Sequence, residues 1–199
     1  MKFRKIVGAS AAAALVVGGT IATASSASAG PMVPASGVTV LMFNPMTVTD
    51  LLNSNVSVWS VQPSGGTILV EGRPGAWVTE FFITAAEKQK RITHVGGVLL
   101  THTHEAGHAE AGHTESIALM DPTIQTVKAK ISAVVVYEGE DMGRKNIFSV
   151  SGCSSVGTDV VECKVKFLPG KAEAVNSMLG EHVFDPEQRV GKADVIFTS

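Results

Sequence analysis

The feature that most limits the fold of this chain is a succession of short apolar runs, each closed off by Gly, Pro, Asn or Asp. They read "GVTVLMF", "VSVWSV", "TILVE", "WVTEFFIT", "ITHVGGVLLT", "SIALMD", "ISAVVVY", "IFSV", "VVECKVKFL" and "ADVIFT". Many alternate apolar with polar residues, as a strand with one buried face must, and they are rich in Val, Ile, Thr, Phe and Trp. The spacing predicts an all-β fold, specifically a β-sandwich of short antiparallel strands. Gly96 and Gly97 interrupt one of these runs, which predicts a bulge or a close backbone approach there.

Two stretches depart from the β pattern. "PGKAEAVNSMLGEH" carries Ala172, Val175, Met178 and Leu179 at helical spacing, with Gly180 as a stop, and predicts one short C-terminal helix. A helix this short is marginal alone, so its apolar face is expected to close one end of the sandwich. "VTDLLNSN" predicts a single helical turn capped by Thr49 or Asp50. His182, just past the helix stop, is expected to meet the helix's last carbonyls.

The chain opens with Lys2, Arg4 and Lys5, then an apolar run from Ile6, then small residues ending in Ala27-Ser28-Ala29. That is the layout of a secretory signal peptide over residues 1–29, followed by a leader over 30–36 and a single domain over 37–199. No later apolar run approaches the roughly 18 residues that cross a bilayer, so the expected mature protein has no transmembrane segment and is secreted or held at the cell surface. A formal charge of −2 becomes −5 once those three basic residues are gone. An acidic chain without basic clusters argues against a nucleic-acid partner. An oxidising compartment favours pairing Cys153 with Cys163, across the hairpin that "SGCSSVGTDVVECKV" describes.

The chemistry-bearing residues gather in "THTHEAGHAEAGHTE", Thr101 to Glu115, which holds four of the six histidines. His104-Glu105-Ala106-Gly107-His108 matches H-E-x-x-H, the zinc-protease signature, whose chemistry needs a rigid helix. Gly107 and Gly112 each weaken such a helix by about 1 kcal/mol, no apolar stripe would anchor it, and both flanks read as strands. The stretch is therefore read as a long connection between strands, and the protein as a non-enzyme. If the preceding strand runs through His104, period-two geometry puts His102 and His104 on one face. With His108, His113, Glu105 and Glu110 they would offer imidazole and carboxylate ligands for zinc, or for copper or nickel. The alternative is a solvated polar loop with no ion.

No G-x-S-x-G elbow, phosphate-binding loop or dinucleotide fingerprint is present. Trp59, Trp77 and Tyr137 are read as packing aromatics, and His94 as a hydrogen-bonded strand histidine beside the Gly96-Gly97 irregularity. These readings suit an envelope or extracellular protein with a metal ion or a protein as partner, or one with a purely structural or adhesive role.

Residues Ile92 to Phe197 also resemble a known group. "ITHVGGVLLT", "SIALMDPTIQTVKAKISAVVVY", "NIFSV", "LPGKAEAVNSMLG" and "FDPEQRVGKADVIF" follow in the order seen in secreted actinobacterial β-sandwich proteins, and are similar to the HtaA-type conserved-region domain of haem-uptake proteins. The resemblance implies a sandwich that holds haem through a tyrosine from its N-terminal part, helped by a histidine from a Gly-His-Gly-type strand. His94 matches that histidine. The tyrosine has no match, since the only tyrosine is Tyr137, in a different strand, and the N-terminal half offers Trp59 and Trp77 instead.

Overall fold

Alternating runs become strands that exchange hydrogen bonds through most of the described residues. The computed structural model describes residues 33–63, 65–69, 77–87, 90–104, 112–156 and 159–198. The expected signal peptide and most of the leader therefore lie outside the described residues, as do Glu105, His108 and Glu110. Pro31–Ser199 clusters as one compact unit.

In chain order the elements are β1 (Val33–Pro34), β2 (Ser36–Phe43), α1 (Pro45–Asn53), β3 (Val56–Val61), β4 (Gly65–Leu69), β5 (Trp77–Glu87) and β6 (Arg91–Val95). They continue with β7 (Gly97–Thr103), β8 (Thr114–Gln125), β9 (Lys130–Tyr137), β10 (Glu140–Val156), β11 (Val160–Phe167), α2 (Lys171–Leu179) and β12 (Arg189–Thr198). Eight strands close on themselves in the circuit β5-β2-β12-β11-β10-β9-β8-β6-β5, every step antiparallel.

The fold is thus all-β as expected, but it is a closed barrel and not a sandwich. Alternation is identical in the two architectures, because both bury one face of each strand. What separates them is whether the edges meet. Here β6 pairs with β5 on one side and with β8 on the other, so the described strands form one sheet.

Gly96 sets where that closure ends. Its φ of +92° breaks the strand between β6 and β7. Its N–H donates to the Asp121 carboxylate at 3.1 Å, while the Asp121 N–H donates to the Gly96 carbonyl at 2.7 Å. At Gly97 an added Cβ would lie 2.5 Å from the Leu119 carbonyl oxygen, so the expected irregularity is also a close approach of two backbones. Beyond it β7 keeps β8 as one neighbour and takes β3 as the other, leaving β5 to β6. The β7–β8 hairpin continues outward past the barrel circuit, and its far end carries the histidines.

Two short helices are present among the described residues, where one was expected. α1 starts earlier than a turn capped by Thr49 or Asp50 would: Asn44 is the N-cap, its side chain accepting from the Met46 N–H at 3.2 Å, and Pro45 occupies the first turn. Asn followed by Pro is a sound helix start, because proline lacks only an N–H that has no intrahelical partner there. Val48 and Leu51 are fully buried. α2 ends at Gly180 (φ +63°), the expected stop, and buries Ala172, Val175 and Leu179.

The Asn176 side chain then ties down the chain that leaves α2. It accepts from the N–H groups of Val183 and Phe184 and donates to the Phe184 carbonyl at 2.8 Å. Phe184 is carried onto Phe167, their ring centroids 4.9 Å apart. The Cys153–Cys163 disulfide joins β10 to β11, with Cys163 buried. Trp59 is not a core residue. In β3 Val56 and Val58 face inward, so period two turns Trp59 outward, 58% exposed, with its Nε1–H donating to the Thr101 hydroxyl.

Candidate functional site

β7 points His102 inward and leaves His104 just past its last residue, and the two rings lie 4.6 Å apart by centroid. β8 supplies a third group that the sequence reading did not include. Glu115 is the register partner of His102 across the hairpin. Directly opposed residues have Cβ atoms close enough for their side chains to meet. One candidate ligand atom from each of His102, His104 and Glu115 lies within 4.8 Å of those of the other two.

The surroundings of these atoms define the chemistry. A carbonyl oxygen only accepts, so the 2.7 Å contact between His102 Nδ1 and the Leu179 carbonyl places the proton on Nδ1 and the lone pair on Nε2. Anchoring one ring nitrogen on a backbone carbonyl is how a metal-binding imidazole is oriented. Glu115 Oε2 is buried and accepts no hydrogen bond; its neighbours are His104 Nε2 at 3.3 Å and His102 Nδ1 at 3.8 Å. A desolvated carboxylate oxygen without a donor is unfavourable unless a cation or a proton is supplied.

The other proposed ligands are placed differently. His113 stacks on His104 with centroids 6.2 Å apart, but its Nε2 lies 3.4 Å from Glu138 Oε1 on the exposed side. Glu105, His108 and Glu110 fall outside the described residues. His104 lies just past the end of β7, and the rest of the H-E-x-x-H match, Glu105 to His108, lies outside the described residues. The imidazole that takes an α2 carbonyl is His102, whereas that role was expected of His182.

His94 stands apart from this cluster, inside the barrel. Its Nδ1–H donates to the Pro122 carbonyl at 2.9 Å, so Nε2 must accept, and the Thr39 hydroxyl donates to it at 2.7 Å. Burial lowers its pKa from 6.5 to about 4, an effect the Pro122 hydrogen bond only partly offsets. The adjoining cavity measures about 70 Å³ and is lined by Phe43, Phe81, Phe167 and Phe184 among others. Pockets for sizeable ligands run to roughly 300–1,000 Å³. As placed, His94 has neither a ring nitrogen nor the space to offer a haem iron.

No protein-family model and no curated protein matches the sequence. By structure the chain is weakly similar in fold to the C-terminal domain of HtaA from Corynebacterium glutamicum, at 11% identity and a TM-score of 0.48. The match covers 82% of this chain and 99% of that one.

Proposed function

We propose that the protein is a non-enzymatic, exported metal-binding protein whose β7–β8 hairpin takes a divalent transition metal through His102, His104 and Glu115. One observation carries this reading: a nitrogen of each imidazole and a Glu115 carboxylate oxygen all lie within 4.8 Å of one another, beside a buried carboxylate oxygen that accepts no hydrogen bond. Two nitrogens and one oxygen suit zinc, with copper and nickel as competitors through their preference for imidazole. The Leu179 carbonyl holds the His102 ring, and the β7–β8 register sets His102 opposite Glu115. Export through residues 1–29 is part of the proposal, and the disulfide supports an oxidising compartment. Among the described residues no helix is long and apolar enough to cross a membrane.

Titration of the mature protein with zinc, copper and nickel tests this. Saturable binding is expected at one ion per chain, weakened by at least about 100-fold in His102→Ala, His104→Ala and Glu115→Gln, since even supporting residues change affinity by 10–100-fold. His113→Ala should weaken it less. Absence of binding, or binding indifferent to the three substitutions, would sink the proposal. A haem-binding role, which the sequence resemblance implies, would have to use a ligand other than His94 as it now sits; a Soret band on adding hemin, lost in Tyr137→Phe, would establish one.

A further inference from the structure

The cluster is built against the end of a helix. Gly180, the left-handed residue that stops α2, packs on the Glu115 carboxylate so closely that a Cβ there would overlap it, and the preceding Leu179 carbonyl receives the His102 proton. The carbonyl end of a helix carries partial negative charge, which is normally balanced by a basic side chain in the last turn. α2 has none there. A carboxylate with one buried oxygen thus faces the negative end of a helix, an arrangement that repels until a cation enters between the groups.

α2 is also part of the wall of the barrel's apolar cavity. Val175 on the helix and Phe184 beyond it both line that cavity, and Asn176 binds the two segments together through the backbone of Val183 and Phe184. From this arrangement we infer that the metal site is a latch: a cation held by His102, His104 and Glu115 fixes the carbonyl end of α2, and through Asn176 the Phe184 segment, over the cavity. This rests on the metal-binding reading and adds to it what the bound ion controls.

Hydrogen exchange of the full mature protein, with and without saturating zinc, reads the latch directly. Amides from Asn176 to Phe184 should exchange about fivefold or more slowly with zinc, while those of β10 and β11 on the barrel stay unchanged. Asn176→Ala, which touches no ligand, should bind zinc normally but confine the protection to the last turn of α2. Calorimetry run in parallel separates the two failures. Zinc bound with no slowing in Asn176–Phe184 overturns the latch and leaves the site standing. No zinc bound overturns both.

Discussion

His94 and His102 lie on the two halves of one interrupted strand, both nearly fully buried, at 4% and 5% exposure. Each donates its Nδ1 proton to a backbone carbonyl, Pro122 for one and Leu179 for the other. They differ in what the rest of the site offers. At His94 a threonine hydroxyl donates to Nε2 and the surroundings are apolar, so every polar group is matched by another. At His102 the adjoining polar side chains are a second imidazole and a carboxylate with one oxygen that accepts no hydrogen bond. Burial and a fixed tautomer are therefore common to a structural histidine and a ligand histidine. The distinguishing quantity is the unmet demand for positive charge around the ring.

The largest expected effect comes from emptying the matched site. His94→Ala leaves the Thr39 hydroxyl and the Pro122 carbonyl unpaired in an apolar interior, at about 1–3 kcal/mol each, and removes packing besides. We expect a loss of about 4 kcal/mol in denaturant unfolding, with zinc affinity unchanged within about twofold. A stability loss below about 1 kcal/mol would show that the two histidines are not divided in this way.

Acid should separate them next. The folded pKa of His94, about 4, lies below its ordinary 6.5, so in that interval the unfolded chain holds a proton that the folded chain does not. Stability associated with neutral His94 is intact above pH 6.5 and is lost as pH falls toward 4, by about 3 kcal/mol in all. Unfolding midpoints at pH 7.5, 5.5 and 4.5 should converge between wild type and His94→Gln, which keeps a hydrogen-bonding side chain without the titration. Parallel curves for the two proteins would remove His94 as the cause.

Period-two alternation made the strands legible, although β7 ends at Thr103, one residue short of His104. Helical spacing and Gly180 marked α2. Barrel closure was not legible, because it depends on β6 meeting both β5 and β8, and pairings between distant segments leave no local trace. α1 did leave one in Asn44-Pro45. Glu115 was within reach of sequence reasoning: once His104 is placed across from His113, counting back equally along both arms sets His102 opposite Glu115. The long polar insertion drew attention to the histidines and acids inside it, and away from the carboxylate on the strand that follows. Nothing local indicated that the carbonyl end of α2 would arrive at His102 from 77 residues away.

The smallest expected effect has the opposite sign, and it tests the unmatched site most sharply. In Glu115→Gln the shape of the side chain is kept while the charge is removed from a place where the carboxylate oxygen has no donor and faces the negative end of α2. Without metal, that change should stabilise the protein by about 1 kcal/mol, the combined scale of the helix-end repulsion and the unmet desolvation. With zinc the order should invert, because wild type gains the free energy of binding and the variant does not. Unfolding midpoints in chelator and in excess zinc, at pH 7.5 or above, measure both differences. If the variant is the less stable protein in chelator, then Glu115 is already matched by His104 at 3.3 Å, and the cluster is complete without a metal.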